Sequence, residues 1–248
     1  MFNIFKRRPQ EPKTWKAPRI DTMGYFEDMA KQPHALIGGT TGAGKSVALN
    51  GFMCHLMGDF PHNVKMMLID PKGVELIQYK KLPHTIGHAV DPEEIEKALS
   101  WMAEEMDARF KEMMKKELRM TDKPDIYIVI DEYMDILFNC NKQAVKDLCR
   151  IAAKGRAAKI HIILCTQRPT RDVIDGRIKA NFATILALRT LDDQESRNLI
   201  GVSGCEKLPD YGKAYYRTPV CRNLVPVDIP FVSDDRIKEL VNHWTAQC

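Results

Sequence analysis

Residues 39–46 read GTTGAGKS and fit the pattern G-x-x-x-x-G-K-[ST] at every fixed position. The apolar run 35–37 precedes them, so the chain is expected to pass from a strand through a glycine-rich loop into a helix. Such a loop wraps its backbone N–H groups around phosphate oxygens. An ordinary glycine-rich turn capping a helix is the alternative. The strand–loop–helix context favours a phosphate-binding loop, and therefore a chain that binds a nucleoside triphosphate.

The residues predicted to hold the nucleotide are contiguous. We expect the loop backbone to surround the β-phosphate, Lys45 to place its charge on the β- and γ-phosphate oxygens, and the Ser46 hydroxyl to bind Mg²⁺. The predicted nucleotide-binding set is Gly39, Thr40, Thr41, Gly42, Ala43, Gly44, Lys45, Ser46 and Val47. ATP and Mg²⁺ are the cofactors that this set implies.

A second motif supplies two acids. Residues 125–130 read DIYIVI, a β-branched and aromatic run that predicts a buried parallel strand, and Asp131 and Glu132 follow it. Ligands of α/β folds lie at the carboxyl ends of strands. We expect Asp131 to hold Mg²⁺ through water and Glu132 to polarise the attacking water, which indicates hydrolysis rather than binding alone. Without the loop at 39–46, the acids would be interpreted simply as the start of a helix, favoured by its dipole.

Size and composition are consistent with one domain plus short extensions. A chain of 248 residues with 44% hydrophobic content can bury a substantial core. Its seven cysteines form no C-x-x-C pair, so neither a disulfide framework nor a zinc site is predicted. No run approaches the roughly 18 apolar residues of a membrane helix, and residues 1–20 lack the apolar core of a signal peptide. We expect a cytoplasmic protein, peripheral at the membrane only through a partner.

The N-terminal segment differs in charge from the rest of the chain. The net charge is only +4, but residues 1–20 carry six Lys or Arg residues against one acid, Glu11. We therefore predict a basic, proline-containing arm over residues 1–31 and a motor domain over 32–248. The arm is interpreted either as a tether to DNA phosphates or to a membrane surface, or as a solvated tail without a partner.

Strand-like and helical patterns alternate along the chain. This alternation predicts an α/β fold with a mostly parallel central sheet flanked by helices, ending in a late antiparallel strand pair. The predicted strands are 34–38, 64–70, 85–90, 125–131, 160–166, 183–189, 213–217 and 222–228. Because two strand-like runs separate the loop lysine from Asp131, we expect an extra strand between the two motif strands, as in RecA-like P-loop NTPases.

The clearest predicted helix spans about 92–119. Apolar residues recur at three- and four-residue steps, which is typical of one helix face packed on a core. They are Ile95, Leu99, Met102, Met106, Phe110 and Met114. A groove for a partner helix is the alternative, because methionine is common at adaptable binding surfaces.

Another predicted strand ends in polar residues. Thr166 and Gln167 follow the apolar run 160–164, and Arg168-Pro169 come next. Side chains at this strand end could sense the γ-phosphate by hydrogen bonding, so Gln167 is a candidate catalytic residue. The alternative is a capping residue at a turn before proline.

Taken together, these motifs resemble the motor of the FtsK/SpoIIIE DNA translocases. The resemblance runs from about residue 32 to the C-terminus. It rests on residues 38–46, Asp70-Pro71-Lys72 with Tyr79 and 82–84, residues 130–133, Gly155-Arg156-Ala157-Ala158, Thr166-Gln167-Arg168-Pro169, residues 178–182, residues 193–197 and residues 231–235. It implies an ATP-driven motor that forms a homo-oligomeric, usually hexameric, ring and moves double-stranded DNA without sequence specificity.

The resemblance also assigns roles. Arg156 matches the family's trans-acting arginine, which stabilises the charge of the transition state in a neighbouring subunit. The family's DNA-facing loops correspond to Arg168 and the segment around Arg197, with Lys179 nearby, and such residues contact phosphates rather than base edges. Asp192-Asp193 replace the usual basic residue at the second DNA loop, so this contact is expected to be weak.

Some features of large family members find no match. The sequence resembles neither their N-terminal membrane region nor their C-terminal winged-helix module. Anchoring and orientation are therefore expected to need an accessory loader or a membrane-anchored partner. A short single-motor chain suits a mobile element such as a plasmid, conjugative element or phage. Two alternatives stay open: a secretion-type ATPase that engages polypeptide, and a nucleotide-binding adaptor that is not a motor.

Overall fold

The computed structural model describes residues 25–59, 64–219 and 223–246. Eight strands form one mixed sheet in the order β3-β2-β4-β5-β1-β6-β7-β8. The strands are β1 (His34–Gly38), β2 (Val64–Ile69), β3 (Thr85–Ala89), β4 (Asp125–Ile130), β5 (Ile160–Thr166), β6 (Thr184–Ala187), β7 (Lys213–Arg217) and β8 (Val225–Asp228). The first six pair in parallel, and β6, β7 and β8 pair antiparallel.

This topology confirms the predicted fold class. β5 lies between β1 and β4, so an extra strand does separate the phosphate-loop strand from the strand of Asp131. The predicted strands are all present, with ends that differ by one or two residues, except that β8 begins only at Val225. Residue 222, where that last strand was expected to start, lies outside the described residues.

Helices cover both faces of the sheet. They are α1 (Tyr25–Lys31), α2 (Lys45–Asp59), α3 (Pro92–Lys115), α4 (Tyr133–Asn139), α5 (Lys142–Lys154), α6 (Gly176–Asn181), α7 (Asp193–Ile200) and α8 (Asp234–Thr245). α1, α2 and α8 enclose one hydrophobic cluster, and α3 to α7 enclose the other. Both faces of the parallel strands are therefore buried, as crossover helices require.

Helix α1, which lies within the segment predicted as an arm, packs against the core of the domain. Phe26 and Met29 are fully buried, and the Phe26 ring lies 6.2 Å from the ring of Phe52 on α2 in an edge-to-face arrangement. The Tyr127 hydroxyl donates a hydrogen bond to the Ala30 carbonyl at 2.7 Å. Residues 25–31 thus belong to the core rather than to an extended arm. The remainder of the predicted arm, residues 1–24, lies outside the described residues.

Helix α3 buries its predicted row of apolar residues along most of its length. Ile95, Leu99, Met102 and Met106 are buried, which confirms a core-facing surface. The helix ends at Lys115 rather than at 119, and Met114 is 80% exposed while its neighbour Met113 is buried. A helix turns about 100° per residue, so Met113, seven residues after Met106, lies on nearly the same side of the helix as Met106, whereas Met114 lies roughly 80° away from it.

Candidate nucleotide site

The predicted phosphate-binding loop connects β1 to α2 at the carboxyl edge of the sheet. The Gly39 N–H donates to the Thr166 carbonyl at 3.2 Å, and the Thr40 N–H donates to the Arg189 carbonyl at 2.8 Å. The ends of β5 and β6 therefore hold the loop from both sides. Gly42 and Gly44 have φ values of 80° and 100°, a region that favours glycine, so their lack of a Cβ lets the loop turn.

Lys45 makes a buried ion pair at the base of this loop. Its Nζ atom donates to Asp131 Oδ1 at 2.5 Å and to the Asp131 carbonyl at 2.7 Å, and the two side chains are 5% and 0% exposed. Burial by itself lowers the pKa of Lys45, but neighbouring anionic groups, Asp131 and Glu132 among them, outweigh it and raise the pKa overall. The ammonium therefore stays charged where phosphate oxygens would lie.

The predicted magnesium ligands have the chemistry that this ion requires. Asp131 Oδ2 is buried and has no hydrogen-bond partner among the described residues, so it is free to accept a water or a cation. Ser46 follows Lys45 in the first turn of α2. In the described part of the chain no three His, Cys, Asp or Glu side chains gather around a metal position. Mg²⁺ typically takes one or two protein oxygens and completes its shell with phosphates and water, so the residues fit.

Glu132 is held in one orientation by backbone donors. It is the N-cap of α4, where Oε1 accepts from the Met134 N–H at 3.3 Å, and Oε2 accepts from the Gln167 N–H at 3.0 Å. The side chain is 1% exposed, and burial raises the pKa of this carboxyl, with Lys45 opposing the shift. A carboxylate of raised pKa beside the phosphate loop is suited to accept a proton from water.

Gln167 links the acid to the loop. Its Oε1 atom accepts a hydrogen bond from the Thr41 hydroxyl at 2.9 Å, while its N–H donates to Glu132. The structure thus brings four predicted residues together at the phosphate loop: Lys45, Asp131, Glu132 and Gln167. Gln167 therefore lies between the phosphate loop and Glu132, and its role towards the terminal phosphate stays a prediction.

Arg156 does not join this group. It lies in the turn between α5 and β5, is exposed, and is followed by β5, whose far end carries Thr166 beside the phosphate loop. Seven strand residues span about 20 Å, more than an arginine side chain can reach. The turn is fixed by the buried Arg109, whose Nη1 donates to the Ala158 carbonyl at 2.7 Å. Arg156 is therefore exposed and out of reach of its own phosphate loop.

The three predicted DNA-binding residues line one cleft of about 720 Å³. Arg168 follows β5, Lys179 lies on α6 and Arg197 lies on α7. Arg171 joins them in the cleft, and burial followed by the charge of Arg171 lowers the pKa of Lys179. Arg171 was not among the residues predicted to bind DNA. Its position three residues after Arg168 could have indicated that it lies in the same cleft.

The acids of the second predicted DNA loop have local roles. Asp192 caps α7 by accepting from the Glu195 N–H at 2.8 Å. Asp193 pairs with Arg197 one helical turn later, with 3.1 Å between Arg197 Nη2 and Asp193 Oδ2. Both partners are more than half exposed. Asp193 therefore pairs with the guanidinium that the family resemblance assigns to a DNA contact.

Comparison with known proteins decides the family. The sequence profile of the FtsK/SpoIIIE family matches residues 18–122 and 111–171. The chain belongs to the FtsK/SpoIIIE family. It is 35% identical to the DNA translocase FtsK of Leptospira interrogans over 233 residues, 86% of this chain and 25% of that protein. It is 36% identical to the DNA translocase SftA of Bacillus subtilis over 236 residues, 89% of this chain and 25% of that protein. The chain thus spans about a quarter of the length of these relatives.

Solved structures share the fold. The pCW3 conjugation coupling protein TcpA, in a monomer form with ATPγS, aligns with a TM-score of 0.75 at 21% identity, covering 95% of this chain and 75% of TcpA. The cytoplasmic domain of the Type VII secretion ATPase EccC of Thermomonospora curvata aligns with a TM-score of 0.74 at 21% identity, covering 86% of this chain and 28% of EccC.

Within the described residues of this family member, no helix has the length and apolar character to span a membrane.

Proposed function

We propose that this FtsK/SpoIIIE-family chain is the motor unit of an ATP-hydrolysing, Mg²⁺-dependent translocase that moves double-stranded DNA. The observation that carries the proposal is the placement of the two predicted sites on the same edge of the sheet. The phosphate loop with Lys45, Asp131 and Glu132 lies at the carboxyl ends of β1 and β4. The cleft with Arg168 begins at the end of β5, and its lining includes four cationic side chains and the acids Asp172, Asp192 and Glu195. The identity of about 35% to proteins named DNA translocases supports a DNA substrate.

In this proposal the residues of the site divide the chemistry. Lys45 and the loop N–H groups bind and neutralise the phosphates, and Glu132, whose raised pKa suits a base, orients a water and accepts its proton. Asp131 and Ser46 would hold Mg²⁺, which supplies charge neutralisation to the phosphate oxygens. Gln167 connects this chemistry to the loop through Thr41.

The same contacts suggest how hydrolysis is coupled to DNA. Gln167 and Arg168 are adjacent in sequence, and the Arg168 N–H donates to the Thr166 hydroxyl at 3.2 Å. A change in the Thr41–Gln167 hydrogen bond when phosphate binds or leaves is therefore transmitted over one residue to a cation in the cleft. Phosphate contacts in that cleft carry no sequence information, which suits a motor that moves over any DNA.

The position of Arg156 supports a ring. It lies at the amino end of β5, about 20 Å from its own phosphate loop, so it can complete a nucleotide site only across a subunit boundary. Head-to-tail contacts of this kind form a ring when the rotation between subunits closes. We propose a homo-hexamer, the number implied by the family resemblance, with Arg156 of one subunit reaching the nucleotide of the next.

The deciding experiment measures steady-state ATP hydrolysis at micromolar protein, with and without long duplex DNA. We expect stimulation of about tenfold or more that Lys45→Ala abolishes and Arg168→Ala reduces. Basal hydrolysis in Arg168→Ala should stay close to that of the parent chain. Hydrolysis that DNA does not stimulate would favour a secretion-type ATPase acting on polypeptide, and no hydrolysis at all would favour the adaptor.

Mixed subunits test the ring. Arg156→Ala and Lys45→Ala should each be inactive alone, and mixtures should regain activity because some interfaces combine an intact loop with an intact arginine. Absence of recovery at every mixing ratio would contradict shared sites. A role in a mobile element and reliance on an accessory loader or membrane-anchored partner complete the proposal. The reliance on a loader is tested by whether the chain alone engages closed circular DNA.

A further inference from the structure

Tyr211 is a large aromatic side chain with no role in the site described above. It is 77% exposed, and its side chain has no hydrogen bond to any of the described residues. Its backbone has a φ of 64°, a conformation that bulky residues rarely adopt. It lies in the segment Pro209-Asp210-Tyr211-Gly212, which directly precedes β7. An exposed aromatic ring held in an unfavourable backbone conformation needs an explanation.

The loop that carries Tyr211 is attached to the phosphate-binding loop. Arg189 connects them, because its carbonyl accepts from the Thr40 N–H at 2.8 Å and its Nη2 atom pairs with Asp210 Oδ1 at 2.7 Å. On the other side of Tyr211, the Gly212 carbonyl accepts from the Ile229 N–H at 2.7 Å. Both neighbours of Tyr211 are therefore held in place, Asp210 by its ion pair with Arg189 and Gly212 by its hydrogen bond to Ile229. These contacts fix the position of the Tyr211 Cα relative to the phosphate loop.

The contact between the two loops is close. A Cβ atom built on Gly44 would lie 3.3 Å from the Gly212 backbone nitrogen, so these loops meet backbone to backbone. Tyr211 is the residue adjacent to that contact. Phe231, 79% exposed, lies two residues beyond Ile229 and adds a second exposed aromatic side chain to the same pair of segments.

The orientation of a bound nucleotide follows from which groups lie on each side of the phosphate loop. Thr41 contacts Gln167, which in turn holds Glu132, so the terminal phosphate is expected on that side. Gly44 contacts Gly212 on another side of the loop. A triphosphate whose γ-phosphate points to Glu132 is expected to extend its base away from Glu132, and the loop of Tyr211 meets the phosphate loop at Gly44 rather than at the Thr41–Gln167 contact.

We propose that Tyr211 stacks on the base of the nucleoside triphosphate and forms the base subsite of this site. The inference rests on the proposed nucleotide binding and adds the part of the ligand that the phosphate loop does not contact. Aromatic rings stack on bases of any identity because every base has a π face. Tyr211 therefore contributes affinity for a base as such rather than selection of one base.

Direct binding measurements test the proposal without relying on catalysis. The full chain is titrated calorimetrically with MgATP and with magnesium tripolyphosphate, which has the phosphates but no base. We expect Tyr211→Gly to raise the Kd for MgATP about tenfold, within the range measured for base–aromatic stacking, and to change the Kd for tripolyphosphate less than twofold. Tyr211→Phe should retain the parent Kd for both ligands.

Glycine is the informative substitution because it accepts a φ of 64° without strain, so the variant is expected to keep its melting temperature. Phe138→Ala, which removes another exposed aromatic ring, serves as the matched control and should change neither Kd. An unchanged Kd for MgATP in Tyr211→Gly would overturn the proposal, as would equal weakening of both ligands, since that would indicate a disturbed phosphate loop. A shift only in oligomeric state would also overturn it and assign the ring to a subunit contact.

These outcomes are separate from the outcome for the proposed function. If DNA does not stimulate hydrolysis by the parent chain, the proposed motor function is contradicted and the proposed base subsite is not affected. Unchanged MgATP affinity in Tyr211→Gly would remove the subsite and leave the motor standing.

Discussion

Replacing Lys45 tests how strongly the nucleotide site depends on its buried ion pair. Lys45→Met keeps an unbranched side chain of similar length but removes the charge, which leaves the fully buried Asp131 carboxylate without its cation. Breaking a buried pair by removing one partner costs about 3–5 kcal/mol. For a domain of this size each kcal/mol lowers Tm by about 2–4 °C, so we expect a loss of about 6–20 °C.

The assay is thermal unfolding without nucleotide, followed by circular dichroism. The pKa of Lys45 is raised above its ordinary value of 10.5, so the contribution of the pair is fully present below pH 10.5 and is lost as pH rises through the folded-state pKa. Measurement near pH 7.5 therefore samples the intact pair. Lys97→Met is the matched control, because Lys97 pairs with Glu93 on the surface and both side chains are more than 70% exposed.

A second variant identifies the source of the loss. Asn at position 131 removes the buried negative charge, so Lys45→Met/Asp131→Asn should recover at least half of the lost Tm. A Tm for Lys45→Met within 2 °C of the parent would refute the reasoning. So would a double variant no more stable than the single one, because the unpaired carboxylate would then not be the cause.

Three further perturbations probe other parts of the molecule. Glu132→Gln should keep MgATP affinity and lower kcat at least tenfold. Burial raises the pKa of Glu132, and a base must be deprotonated, so kcat of the parent should begin to fall on acidification at a pH above 4.5. If kcat of Glu132→Gln falls over the same pH range as kcat of the parent, Glu132 is not the group that titrates. Asp193→Asn should release Arg197 and tighten DNA binding at low salt, which filter binding can check. Gly155→Ala places a Cβ 2.4 Å from the Ile160 carbonyl oxygen and should lower the free energy of unfolding in urea by about 2 kcal/mol. An unchanged urea midpoint would mean that the backbone of this turn shifts to make room for the methyl group.

Much of the nucleotide site was predictable because its signals are local. The glycine and lysine positions of the loop are set by backbone conformation and charge over eight residues, and the acids directly follow a strand whose apolar run is unmistakable. Parallel strands bring such ends to one edge, so Lys45, Asp131, Glu132 and Gln167 were expected to converge before any coordinates were known.

Other features depend on packing that a local pattern does not carry. Helix α1 looks like part of a basic arm until Phe26 is seen in the core. Met113 rather than Met114 is buried because, at about 100° per residue, Met113 lies on the same side of α3 as Met106. The attachment of the Tyr211 loop to the phosphate loop depends on Arg189, which lies 22 residues before Tyr211 and about 150 after Thr40.

The sequence by itself determined the family, the fold class and the chemistry at the phosphate loop, because each rests on short runs whose backbone geometry and charge are fixed locally. Tertiary structure alone decided which cations share a cleft, that Arg156 lies at the far end of β5 from its own loop, and that the loop of Tyr211 contacts the phosphate-binding loop. The physical reason is that strand order and loop contacts arise from burying both faces of the sheet at once, and this joins residues whose separation along the chain says nothing about their distance in space.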